Sequence, residues 1–495
     1  MVRLVSSLLL CLPVLAGSVS GRVTDGSRPL EGVRVHPDRM TRVRPGGLPP
    51  LAFTDAQGVF TLELDPGDDA VVVEKPGFQR DLVPLGELGA PVVLAPAPAY
   101  RKERVLVVRL DWPDQKPLRT DAELRSVLFG RRPGEASAAN YFYEVSKGSL
   151  ELEEGALVHL ADADHPAPRR DAQRGAIVRW VLEHIKGMDL RPFDAVDNAT
   201  GALVPDGKPD HLWIVAPGIP GTVTQGGEDL TAICLLEPLP WDEYVQWPAV
   251  FFTDETPLGF IVHESLHAQG ENRVDDLYLD AKHPLTAGQW DIMDAGLFRG
   301  TDAYHPDQGP WQEDTAHSPS QPMGWVRSEL WYHGAFRATV RTLTVKGAWE
   351  GWLDPLERAP RTNPQRLVIA DPRARGRFWD LEVRRPLGSD RGRMGNRWGP
   401  GFEGLVVARV TPSLLTRGEP RGPVRVIDAH PGTPEPPRPR YPGGRWQLDD
   451  AAFNMGTGEI PAGKDGPLSW EVLDVDGSGR MKIRVKLSAP VQGKR

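Results

Sequence analysis

His263 and His267 lie four residues apart in the run Phe260-Ile261-Val262-His263-Glu264-Ser265-Leu266-His267-Ala268-Gln269-Gly270. Residues four apart share one face of a helix, so both imidazoles can address a single ion. Glu264 falls beside them, where a carboxylate can take a proton from an attacking water. Two imidazoles plus a third ligand suit zinc with one position left open. A surface helix could carry the same H-E-x-x-H letters, so the pattern alone is moderately specific. A third ligand must come from nearby. Gly270 can end the helix in a left-handed conformation and turn the chain back. The acidic cluster Asp275-Asp276-Leu277-Tyr278-Leu279-Asp280 follows. Glu271 is too close to the turn, and Asp280 lies where the chain leads away. Asp275 and Asp276 remain, and in an extended segment their side chains point to opposite sides.

Beyond the cluster comes Gly288-Gln289-Trp290-Asp291-Ile292-Met293-Asp294-Ala295-Gly296. A methionine in a tight turn beneath the metal marks the metzincin-like proteases, and Met293 fits that place better than an ordinary core position. Further segments share the pattern. Val105 to Asp111 is one, and Tyr141-Phe142-Tyr143-Glu144-Val145-Ser146-Lys147-Gly148 is another. Asp206-Gly207-Lys208-Pro209-Asp210 leads into His211–Val215, and Met323-Gly324-Trp325-Val326, Phe378–Arg384 and Gly404–Ala408 come later. In combination, residues 100–485 resemble the immune-inhibitor-A-type metalloproteases, peptidase family M6. The resemblance implies an α/β zincin fold, a zinc ion on His263 and His267, and Glu264 as general base. The family spacing places Arg273 at the third-ligand position, and a guanidinium cannot ligate a cation. Aligning on Asp-Leu-Tyr instead gives Asp276 after a two-residue insertion, with Asp275 as runner-up.

Other groups could also do chemistry. Asp194, Asp197, Asp206 and Asp210 fall in a glycine-containing loop. Hard oxygen ligands suit calcium, which related proteases hold in such loops, and a solvated acidic loop fits equally. Asp474-Val475-Asp476-Gly477-Ser478-Gly479 resembles part of a calcium loop but lacks the closing glutamate, so a β-turn is the better reading. Tyr278 and Tyr304 could donate to an oxyanion. Cys234, in the apolar run Leu230–Leu236, reads as a buried small hydrophobe rather than a nucleophile.

The elements that must position the site follow from local patterning. Val105–Leu110 and His211–Val215 are apolar runs, expected as strands buried on both faces. Ala138–Val145 and Ala172–Ile185 have helical spacing. Residues 101–335 therefore mix strands and helices, and 336–490 reads as a β-rich domain of strands and turns. Before them, Gly32–Val35, Val59–Leu62 and Val71–Val73 alternate with turn signals, which predicts a small β-sandwich over 18–97. Its Gly21–Asp25, Pro29–Val33, Thr54-Asp55, Gly58–Phe60 and Lys75–Phe78 segments resemble the carboxypeptidase regulatory-like module, an accessory domain. Ala95-Pro96-Ala97-Pro98-Ala99 reads as a stiff linker. On this reading the sandwich folds separately, and a chain starting near Tyr100 keeps the chemistry.

Composition sets the limits. A net charge of -9 excludes a nucleic-acid binder, which needs a basic face. Residues 1–17 carry Arg3 and then a short apolar run from Leu4 to Ala16, the pattern of a secretory signal peptide, too short to span a membrane. Leu10 is too large to precede a lipid-bearing Cys11. With Cys11 and Cys234 the only cysteines, no disulfide framework exists. The fifteen tryptophans are expected in β-rich cores. Altogether the sequence implies a multidomain exported zinc endopeptidase acting on protein or peptide substrates. The alternative is an exported β-rich binding or adhesion protein with a decayed protease domain. The Arg273 departure favours that alternative, and the intact His263-Glu264-His267 speaks against it.

Overall fold

The computed structural model describes residues 17–38, 50–113, 115–132, 135–161, 174–197, 202–218, 233–235, 249–268, 277, 286–294, 296, 319–330, 336, 339–391, 402–412, 423–432 and 447–488. Within them the chain is a multi-sheet, mostly β protein with few helices.

The N-terminal strands are β1 (Gly17–Thr24), β2 (Arg34–Pro37), β3 (Ala52–Phe53), β4 (Val59–Leu64), β5 (Ala70–Glu74), β6 (Asp81–Pro84) and β7 (Val92–Val93). They form two sheets, ordered β4-β1-β7 and β3-β2-β5-β6. Strand β4 alternates strictly, with Phe60, Leu62 and Leu64 inside. These residues and Val23 meet Val35, Val71 and Val73 of the other sheet in one apolar core, the arrangement of a sandwich. Its first strand begins at Gly17. The rest of the expected signal segment lies outside the described residues.

The middle of the chain contributes strands β8 (Arg101–Asp111), β9 (Leu150–Ala161), β10 (His211–Ala216), β11 (Ile233–Leu235) and β12 (Ala249–Thr253) in the order β11-β12-β10-β8-β9. All pairings are parallel except that of β11, the strand bearing Cys234, with β12. Helices α1 (Asp121–Phe129), α2 (Ala138–Val145) and α4 (Leu258–His267) share a core with Val107, Trp213 and Val250 on one face of this sheet. Helix α3 (Arg174–Ile185) covers Leu106, Val108 and Ile214 on the other. The apolar runs of β8 and β10 are thus buried on both faces, as expected of parallel strands under helices.

The C-terminal part holds β13 (Thr342–Val345), β14 (Ala348–Leu353), β15 (Arg366–Ala370), β16 (Phe378–Arg384), β17 (Gly404–Val410), β18 (Val424–Val426), β19 (Ala462–Asp465), β20 (Leu468–Val475) and β21 (Met481–Leu487). They form sheets β13-β15-β16-β17-β18 and β14-β21-β20-β19, which enclose a core that includes Trp379, Leu381, Trp470 and Ile483. The opposite face of β17 and β18, through Val406, Ala408 and Val424, joins the core that holds α4. Asp476 closes the β20–β21 turn by accepting from the Ser478 and Arg480 amides, which bears out the β-turn reading.

The proline-rich segment after the sandwich is not a free linker. Gln79 donates to the Ala95 carbonyl and Ala97 to that of Gly77, so the segment lies back on the sandwich. Among the described residues no helix is long and apolar enough to cross a membrane.

Candidate active site

Helix α4 starts after a short connection from β12 that Asp254 holds in place. Its carboxylate accepts from the Leu118, Arg119 and Gly218 amides. The helix then buries Leu258, Ile261, Val262 and Leu266. That leaves Glu264 and His267 on the partly exposed side, while His263 is 1% exposed.

The two imidazoles converge. Their Nε2 atoms are 3.1 Å apart, and the rings stand perpendicular. On its other side, His263 Nδ1 lies 2.9 Å from the carbonyl oxygen of Ile292. A carbonyl only accepts, so Nδ1 carries the proton and Nε2 keeps its lone pair. Two nitrogens bound to one tetrahedral zinc at about 2.0–2.1 Å would stand about 3.3 Å apart, close to the observed spacing. The donor set therefore fits the metal the helix motif implies, down to the backbone carbonyl that orients the first imidazole.

The turn behind His263 is built by two aspartates. Asp291 accepts from the Met293 amide through Oδ1 and from the Met323 amide through Oδ2, at 2.7 Å each. Burial pushes its carboxyl up to about 7 against the pull of these two amides. Asp294 gathers the Ala287 and Gly288 amides at 2.8 and 2.7 Å. Gly288 takes φ +63°, and a Cβ there would come within 2.9 Å of Leu448. Met293 is fully buried in the core shared with Leu266 and Trp290, one residue from the carbonyl that holds His263. The Leu277 amide donates to the Met293 carbonyl at 2.8 Å. The residue after Asp276 is therefore pinned to the same turn.

No family model matches this chain, and neither does any curated protein.

His263, Glu264 and His267 lie together on α4, and Met293 sits in the turn bonded to it. Asp275 and Asp276 lie outside the described residues, as do Arg273, Tyr278 and Tyr304. Among the described residues no third His, Cys, Asp or Glu joins the pair to complete a metal site. The candidate calcium residues bond within their own loop. Asp194 accepts from the Asp206 and Gly207 amides, and Asp210 from those of Ala195 and Val196. Asp197 donates its amide to the Ala202 carbonyl, and Asp206 accepts from the Lys208 amide. Among the described residues these carboxylates form no three-ligand group that could hold a cation.

One feature of the site escapes sequence reasoning. Strand β16 alternates Trp379, Leu381 and Val383 with Asp380, Glu382 and Arg384, which reads as one core face and one solvent face. Both faces are buried. Arg384 donates to the Trp290 carbonyl at 2.8 Å and pairs with Glu357, Glu382 and Asp390. Burial acts to lower its pKa, but the three carboxylates outweigh that and raise it well above the ordinary value, so it stays charged. The only signal available was an arginine on a strand with two acids at alternate positions.

Proposed function

We propose that this chain is an exported zinc-dependent endopeptidase of the immune-inhibitor-A, M6-like kind, with a zincin-type unit over residues 101–335. One observation carries the reading: two imidazole Nε2 atoms 3.1 Å apart, the first with its Nδ1 proton engaged by the Ile292 carbonyl. A mostly parallel sheet with α4 on one face, and a buried methionine in the turn against His263, support it.

Zinc, when bound, polarises the scissile carbonyl and makes water acidic enough to attack at neutral pH. His263 and His267 would hold it, with Asp276 as third ligand. Glu264, beside them on the partly exposed side of the helix, takes the proton of the attacking water and returns it to the leaving amine. The Ile292 carbonyl keeps the His263 ring oriented throughout. The substrates are proteins or peptides.

The test is zinc content by atomic emission together with casein digestion. One zinc per chain is expected, with cleavage abolished by a chelator and restored by zinc. Folded protein with neither zinc nor cleavage would leave the binding-protein alternative standing.

A further inference from the structure

We infer that the N-terminal sandwich is a fixed part of the scaffold that holds the histidine site, joined to it by a buried polar relay running from Arg80 through Glu144, Gln321 and Arg384 to the turn bearing Ile292. The relay is a structural claim. Its consequence for metal binding rests on the functional reading above.

The first link crosses from the sandwich to α2. Arg80 is 3% exposed and its Nη2 donates to Glu144 Oε2 at 3.1 Å, while its Nε pairs with Glu74 at 3.4 Å. Its backbone amide also donates to the Lys147 carbonyl at 2.9 Å. The chain end after α2 is shaped for this contact. Gly148 takes φ +80°, and a Cβ there would lie 2.8 Å from the Phe78 carbonyl of the sandwich.

Glu144 passes the connection on. Its second oxygen accepts from Gln321 Nε2 at 3.0 Å and from the Ser389 amide at 2.6 Å. Gln321 in turn accepts at its backbone carbonyl from Arg384 Nη2, 3.1 Å away. Arg384 donates from Nη1 to the Trp290 carbonyl, two residues before the carbonyl that His263 uses. Glu144, Gln321 and Arg384 are all fully buried.

A second set of contacts locks the sandwich to the C-terminal part. Asp81 receives Arg361 at 2.6 Å and the Ala359 amide at 3.1 Å. Asp38 receives Arg391 at 2.7 Å and the Gly388 amide at 2.9 Å. An accessory module on a flexible tether would meet its neighbours through a wet, screened surface. Here Asp38 and Asp81 are removed from water on the sandwich side and Arg358, facing Asp81 at 3.4 Å, on the other, and separating the two would strand them. Arg80 is a positioning residue that acts on the site through Glu144.

Two measurements on the full-length protein test this. The first is hydrogen exchange against denaturant without metal. The relay predicts that the β5 amides of the sandwich and the α4 amides open in one cooperative unit. A sandwich that opens in its own earlier step overturns the inference. The second titrates cobalt into wild type, Arg80→Met and Arg80→Lys and follows the visible ligand-field spectrum. Arg80→Met should bind about tenfold more weakly, with an altered spectrum, and Arg80→Lys should recover part of the loss. Wild-type affinity and spectrum in a folded Arg80→Met also overturn it. If the wild type binds no cobalt, the metal-site reading falls, and the exchange measurement still decides the relay. The same measurement decides it if Arg80→Met does not fold.

Discussion

His263 Nδ1 and the Ile292 carbonyl oxygen are 2.9 Å apart, and this bond ties the helix of the site to the turn behind it. It fixes both the tautomer and the azimuth of the ring. The Nε2 lone pair then faces His267 rather than solvent. The turn is rigid for its own reasons, because both Asp291 oxygens hold backbone amides. Two imidazoles held this way need little reordering to share a metal ion, as the proposed function requires.

Glu264→Gln should retain zinc and lose peptidase activity. Glutamine has nearly the same shape and makes no ligand bond that Glu264 was assigned. It cannot accept a proton at neutral pH. The loss in kcat should be on the order of 100-fold or more, the usual scale for a general base. Zinc analysis and peptide cleavage on the purified variant check both halves. Retention of most activity would remove Glu264 from its role.

Met293 should behave as packing in a turn that cannot shift. Met293→Leu conserves volume and should cost less than about 1.5 kcal/mol, with activity kept. Met293→Ala leaves a cavity in a fully buried position and should cost about 2–5 kcal/mol. Urea unfolding of the two variants measures the difference. Loss of activity in a stable Met293→Leu would point to a role beyond packing.

Much of this was legible in the sequence where one period dominates. The four-residue spacing of the histidines, the apolar run of β8 and the alternation of β4 each favour one element, and the structure has α4, β8 and β4 there. The relay was not legible, because charged residues at alternate strand positions look solvent-facing until another layer covers them. Glu382 and Arg384 are covered by elements distant in sequence, and Asp380 is paired with Arg366 of the neighbouring strand β15. The Ala95–Ala99 segment misled for a related reason. Proline lacks a donor, but the Ala97 amide and the Ala95 carbonyl still pair with the sandwich, so a sequence that looks like a spacer lies docked.

Acid should loosen the junction between the sandwich and the C-terminal part. Burial acts to raise the Asp81 carboxyl, but Arg358 and Arg361 outweigh it and hold it down to about 2. A folded pKa below the unfolded value gives stability that is fully present above about pH 4 and lost as pH falls toward 2. The amount is roughly 2 kcal/mol. Asp81→Asn should be less stable at pH 7, since Arg358 and Arg361 lose the buried one of the two carboxylates they share and keep only Glu87. Its stability should also fall less steeply between pH 4 and 2. An unchanged slope in that window would show that Asp81 is not the group responsible.

The third ligand is the sharpest remaining prediction. Two imidazoles alone make a weak site, because protein zinc normally has at least three protein ligands. Asp275 and Asp276 precede Leu277, whose amide is bonded to the Met293 carbonyl 2.8 Å away. That bond places Leu277 beside the turn that holds His263. Neighbouring side chains in an extended segment point to opposite sides, so only one of the two can face the imidazoles. The Asp-Leu-Tyr resemblance selects Asp276. Asp276→Ala should therefore weaken zinc binding about as much as His267→Ala, and Asp275→Ala much less. Competitive zinc titration of the three purified variants measures this. Tight binding by Asp276→Ala together with metal loss in Asp275→Ala would transfer the role to Asp275.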